Sequence, residues 1–131
     1  SRGLAQAASL AEAFADFPVS VVLSSRTVRC QQTVLPLARR AGLVVAPDPV
    51  LCEGGSLRAL RLVETLARDD GQNDVTVLCS HGDVISEILH NLMLTGVWTH
   101  GDRGCAEGSV WELSCRGGIV VEGHYHPPPT A

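Results

Sequence analysis

The apolar positions of this chain recur with a spacing that switches repeatedly between three-to-four residues and short unbroken runs. Leu4, Ala7, Ala8, Leu10, Ala11 and Phe14 fall on one stripe of a helix. Pro18 stops it, and Val19–Leu23 reads as a short buried strand ending at Ser24 and Ser25. A second helix is predicted from Thr27 to Ala41, closed by Gly42, followed by a strand over Leu43–Ala46 that Pro47 and Pro49 end. Ser56 is expected to cap a third helix that buries Leu57, Leu60, Val63, Leu66 and Ala67 and stops at Asp69-Asp70-Gly71. Asp74–Cys79 is the clearest strand, and it runs through Ser80-His81-Gly82-Asp83 into a fourth helix facing inward with Val84, Ile85, Ile88, Leu89, Leu92 and Met93. Beyond Gly96, Ser109–Ser114 and Ile119–His124 form a hairpin pattern around Arg116-Gly117-Gly118.

Strands separated by helices predict an α/β fold in three layers: a mostly parallel sheet, helices on both faces, and an antiparallel C-terminal edge. At 131 residues the chain is sized for one domain, here residues 1–131. No repeat or linker interrupts it, and only the tail His126–Ala131 reads as loose. Opening on a helix is unusual for such a fold, whose first element is ordinarily a strand; the chain reads as lacking its first strand.

Composition narrows the function. The hydrophobic share of 45% and charged share of 18% exclude a disordered chain. No apolar run is long enough to span a membrane, and the first fourteen residues do not make a secretory signal. A net charge of −4 argues against nucleic acid and anionic membrane as partners. All ten basic residues are arginine, so strong phosphate contacts must come from Arg, His or backbone N–H groups. Cys30, Cys52, Cys79, Cys105 and Cys115 are odd in number and hold no C-x-x-C pair; they read as reduced, mostly buried thiols of a cytoplasmic protein.

Ligands of open α/β sheets sit outside the carboxyl ends of the parallel strands. Two such ends here run into polar residues, at Ser24-Ser25-Arg26-Thr27-Val28-Arg29 and at Ser80-His81-Gly82-Asp83. Parallel strands put both on one edge, where Arg29 and His81 can converge on one ligand. Arg26 and Arg29 share a helix face, two helix starts add unpaired N–H groups, and Gly82 admits an oxyanion close to the backbone. Phosphate is the guest this chemistry favours. Taken singly, an Arg at a helix start or a His after a strand is more often structural; their pairing at adjacent strand ends gives the functional reading its weight. His124 and His126, two apart on a strand, share a face that could clip a metal, but no third ligand is evident and no metal is expected. His90 and His100 read as helix-surface and loop residues, and Trp98 and Trp111 as packing.

Ser25-Arg-Thr-Val-Arg29-Cys-Gln-Gln-Thr33 resembles the S-x-x-x-R-A-x-Q-T segment of the histidine phosphatase superfamily, the phosphoglycerate mutase-like proteins. Val77-Leu-Cys-Ser-His81-Gly82 is similar to its second-histidine motif, Arg2–Ala7 to its G-x-x-Q-A helix start, and Glu107–Trp111 to a G-S-x-W strand of bacterial members. Four motifs in order over nearly the whole chain are far more specific than any one. The likeness is greatest to small bacterial phosphohistidine phosphatases and to phosphatase domains fused to Nudix hydrolases.

The resemblance implies a phosphatase without metal or cofactor, acting on a small phosphorylated molecule or a protein phosphohistidine. A histidine in an R-H-G motif would attack phosphorus and form a phosphohistidine. Arg29 would clamp the phosphoryl oxygens, with His81 as the second histidine of the pocket and Gly82 beside it. Glu53 matches the proton-donor position loosely, and Arg26 stands where a proline is common, behind the phosphate contact. No R-H-G occurs in these 131 residues, so the chain is expected to lack an N-terminal segment and to be inactive alone. The alternative is a non-catalytic phosphate-binding module without the nucleophile. A receiver or nucleotide-binding domain fits worse, because no G-x-G-x-x-G, P-loop or acidic cluster is present.

Overall fold

A computed structural model gives the fold and describes residues 2–52, 54, 56–69, 74–100 and 104–128. Helix α1 (Arg2–Ala13) leads into strand β1 (Val19–Ser24), helix α2 (Val28–Arg40) and a two-residue strand β2 (Ala46–Pro47). A 3-10 turn at Pro49–Leu51 precedes α3 (Ser56–Arg68), β3 (Val75–Cys79) and α4 (Gly82–Leu94). Three strands follow: β4 (Trp98–His100), β5 (Val110–Arg116) and β6 (Ile119–His126). Among the expected features, Glu53, Asp70, Gly71, the last three residues and the capping side chain of Ser56 lie outside the described residues.

The strands form two sheets: parallel β2-β1-β3, and β4-β6-β5, in which β4 runs parallel and β5 antiparallel to β6. The expected antiparallel edge is thus a separate mixed sheet. Within the first, β1 pairs directly with β3, Val22 opposite Val77 and Ser24 opposite Cys79. Successive side chains of these strands enter opposite cores, as the strand period requires. Val22, Val77 and Cys79 join Ala11, Val34, Leu37 and Ala38 under α1 and α2. Leu23 and Leu78 join Leu51, Ala59, Val63, Val84 and Ile88 under α3 and α4. Leu113 and Val120 pack on this second core and so bring the second sheet onto it.

Four local expectations change. The strand over Leu43–Ala46 shrinks to Ala46–Pro47 because the end of α2 uses its first residue: the N–H of Leu43 donates to Ala38 O (2.8 Å) and that of Gly42 to Arg39 O (3.0 Å). Gly42 makes this closure possible with a φ of 73°. On α3 Val63 and Ala67 are buried and Leu60 and Leu66 half-buried as expected, but Ala59 joins the buried stripe and Leu57 is exposed. On α1 only Ala7, Leu10 and Ala11 are buried, leaving Leu4 and Ala8 exposed. His100, expected in a loop, lies in β4, whose three residues are too few to show a period. The hairpin stands as expected, extended to Arg116 and His126, with both turn glycines at positive φ (61° and 80°).

Candidate active site at the ends of β1 and β3

Both chemical motifs sit where parallel pairing puts them, side by side beyond Ser24 and Cys79. The N–H of Ser25 donates to Cys79 O (2.8 Å), extending the ladder one step past β1. That bond turns the Ser25 side chain inward, where it has no exposed surface. Ser25 Oγ then lies 2.9 Å from His81 Nε2, 3.6 Å from Cys52 Sγ and 3.4 Å from the N–H of Thr27. One hydroxyl thus ties three segments together.

His81 holds the N-cap of α4 with an extended backbone (φ −101°, ψ 154°), and its side chain makes no capping bond. The imidazole instead reaches Ser25, and the first N–H groups of α4 are not capped by it. Gly82 opens the helix; a Cβ there would meet Cys105 only at 3.8–3.9 Å, an ordinary contact. Ser80 anchors the segment, donating from Oγ to Leu51 O at 2.5 Å.

Arg29 lies in the first turn of α2, which Thr27 caps by accepting from the N–H of Cys30 (3.4 Å). The thiol of Cys30 donates to Ser80 O at 3.7 Å, so the backbone of Arg29 starts beside the His81 segment. Its guanidinium, however, is turned to Glu107 Oε1 at 3.7 Å, in a pair whose side chains are 86% and 88% exposed. The structure thus joins His81 to Ser25 and leaves the guanidinium of Arg29 on the rim. Glu53 lies outside the described residues, and Arg26 accepts from Gln31 Nε2 at 2.9 Å.

Two thiols at the site have opposite tendencies. Cys52 is held below the usual thiol range by the N–H of Arg26, by the Ser25 hydroxyl and by the Arg26 charge. Cys79 is pushed up, chiefly by burial and then by the neighbouring Cys30. Composition alone did not single out Ser25 or Cys52. A signal for Ser25 was present, since Ser24 and Ser25 close a mostly apolar strand and must find partners once buried. Cys52 gave no comparable signal.

Residues 1–56 match the histidine phosphatase superfamily (branch 1). Over those residues the chain is similar to members of that superfamily. A relative named 8-oxo-(d)GTP phosphatase, from Mycolicibacterium smegmatis, is 29% identical over 131 residues, covering 98% of this chain and 40% of that protein. An uncharacterized protein of Mycobacterium tuberculosis is 43% identical over 54 residues, 41% of this chain and 27% of its own length. The chain thus spans less than half of either relative. Among solved structures, one titled mycobacterial hydrolase 1 superposes with a TM-score of 0.58 at 19% identity, over 70% of this chain and 64% of that one. A mycobacterial glucosyl-3-phosphoglycerate phosphatase in complex with VO3 gives 0.55 at 20% identity, over 70% and 66%. The parallel sheet with helices on both faces and a second mixed sheet is therefore the fold these structures share, phosphoglycerate mutase-like as the motifs implied.

Proposed function

We propose that residues 1–131 form one domain that supplies the phosphate-holding part of a cytoplasmic phosphatase, moving a phosphoryl group to water without a metal. The substrate would be a small phosphorylated molecule or a phosphohistidine on a protein. The observation that carries this reading is the Ser25–His81 bond at the adjoining ends of β1 and β3, next to the helix start that bears Arg29.

In this reading the phosphoryl oxygens sit over the start of α4. His81, oriented by Ser25, donates to one of them, and Gly82 leaves room for the approach. Arg29 exchanges its exposed pair with Glu107, worth at most about 1 kcal/mol, for a bidentate charge-assisted grip on phosphate. Glu53 is the proposed acid that protonates the departing oxygen. The covalent step would follow the superfamily: an imidazole nitrogen bonds to phosphorus as the P–O bond to the leaving group breaks, and water then cleaves the P–N bond to give inorganic phosphate. The R-H-G that supplies this imidazole is not among the 131 residues. The second reading is a non-catalytic module that binds a phosphorylated ligand through the same residues.

The test is phosphate release from an aryl phosphate and from nucleoside triphosphates, since one relative is named for such a nucleotide. It is run with and without chelator on the protein as the cell makes it. Release that survives chelation and is lost in His81→Ala supports the phosphatase. Vanadate binding without turnover selects the binding module. Turnover that chelation abolishes overturns the metal-free mechanism.

A further inference from the structure

The second sheet carries a feature unrelated to the phosphate site. Parallel pairing of β4 with β6 sets His100 directly opposite His124, and Glu112 of β5 faces His124 from the other side. His126 follows two residues along β6, on the same face. The imidazoles of His100 and His124 are stacked with centres 6.2 Å apart, and those of His124 and His126 lie 4.8 Å apart. Two imidazoles on one tetrahedral zinc-class ion stand with ring centres roughly 5 Å apart, given metal–nitrogen bonds of about 2.0–2.1 Å.

The outer two rings are already oriented by carboxylates. His100 Nε2 lies 3.2 Å from Glu122 Oε2, and His126 Nε2 donates to Glu112 Oε1 at 2.9 Å. Such a bond fixes the proton on Nε2 and leaves Nδ1 with its lone pair, the arrangement carboxylates impose on metal-bound histidines. The three rings do not yet surround a common point; among the described residues no group of three His, Cys, Asp or Glu side chains does so. Closing the site would take rotation of side chains that stand half in solvent, His100 at 43% and His126 at 49% exposure. The backbone registers that set their spacing do not have to move.

We propose that His100, His124 and His126 form a surface site for a zinc-class divalent ion, with Glu122 and Glu112 holding the outer two imidazoles. Neutral imidazole donors select zinc, copper or nickel over magnesium or calcium. Water would occupy the open position. Bound there, the ion ties the short β4 to β6.

The test uses untagged, metal-stripped protein as the cell makes it, titrated calorimetrically with Zn²⁺, with circular dichroism confirming that each variant folds. Wild type should bind one ion. His124→Ala should weaken binding about a hundredfold, and Glu122→Gln about tenfold. An independent readout uses Trp98, whose ring lies 6.3 Å from His100 and which is one of two tryptophans in the chain. Cu²⁺ should quench its fluorescence stoichiometrically, and Trp98→Phe should remove that quenching while leaving Zn²⁺ affinity unchanged. The proposal fails if wild type binds Zn²⁺ no more tightly than a variant with all three histidines replaced by alanine, or if bound Cu²⁺ leaves Trp98 unquenched.

Discussion

Ser25 Oγ and His81 Nε2, 56 residues apart in sequence, lie 2.9 Å apart across the ends of two adjacent parallel strands. The hydroxyl is fully buried and also reaches Cys52, so it fixes the imidazole at a position set by the sheet and not by a mobile loop. A histidine held this way is oriented before any ligand arrives.

Removing that hold should therefore cost turnover more than stability. Ser25→Ala is expected to lower kcat about tenfold or more by letting the imidazole drift. The loss in folding stability should be about 1 kcal/mol, from one missing buried hydrogen bond. Phosphate-release kinetics beside urea denaturation separate the two. A variant with full kcat would show that Ser25 does not position His81.

Arg29 and Glu107 make opposite predictions from one ion pair. Arg29→Ala should raise the transition-state barrier by about 3 kcal/mol, roughly a hundredfold in kcat/KM. Glu107→Ala breaks the same exposed pair and should change stability by less than about 1 kcal/mol. It releases the guanidinium, so phosphate should inhibit this variant at least as well as wild type. Near-full activity in Arg29→Ala would remove Arg29 from the site.

Residues 1–131 by themselves should show no phosphatase turnover and form no phosphohistidine. His81 is bonded to Ser25 beyond the end of β3, His90 is exposed on α4, and the other three histidines sit on the second sheet. Incubation with a labelled phosphoryl donor followed by acid treatment is the measurement; an acid-labile phosphoenzyme on these residues would reassign the nucleophile.

The thiols should separate by pH. Cys52 is lowered from the ordinary thiol range, so its thiolate fraction, and its alkylation rate, should reach a plateau at lower pH than those of Cys115, which burial raises. Cys79, raised further by burial and by Cys30, should react last. Iodoacetamide labelling from pH 6 to 10, read by peptide mass spectrometry, gives the order, and inorganic phosphate or vanadate should protect Cys52 if the ligand occupies the space beside Ser25.

Leu51 joins the core to the site. Its side chain is 1% exposed among Val63, Val84 and Ile88, and its carbonyl accepts the hydroxyl of Ser80. Leu51→Ala should cost about 2–5 kcal/mol, the range for emptying such a position. Urea unfolding checks it, and a loss below about 1 kcal/mol would mean that the neighbours collapse into the space.

What the sequence determined by itself is the order of elements and the two strand ends that carry chemistry. Those features are written in local periods: Val19–Leu23 and Val75–Cys79 are mostly apolar because their side chains feed the two cores on either face of the sheet, and Thr27 and Gly42 bracket α2 by bonding to their own neighbours. The motif around Ser25 and Arg29 was legible for the same reason, being contiguous. The tertiary structure alone decided what depends on register between distant segments. It added Ala59 to the buried stripe of α3 and left Leu57 outside, since packing decides the edges of a helix face. It split the strands into two sheets, turned Arg29 toward Glu107 and set His100 beside His124 through a strand too short to show a period. It also made Ser25 the partner of His81, because a one-residue slip between β1 and β3 would reverse every side chain and part that pair. Period is a property of neighbours along the chain, whereas register is fixed only when the strands meet.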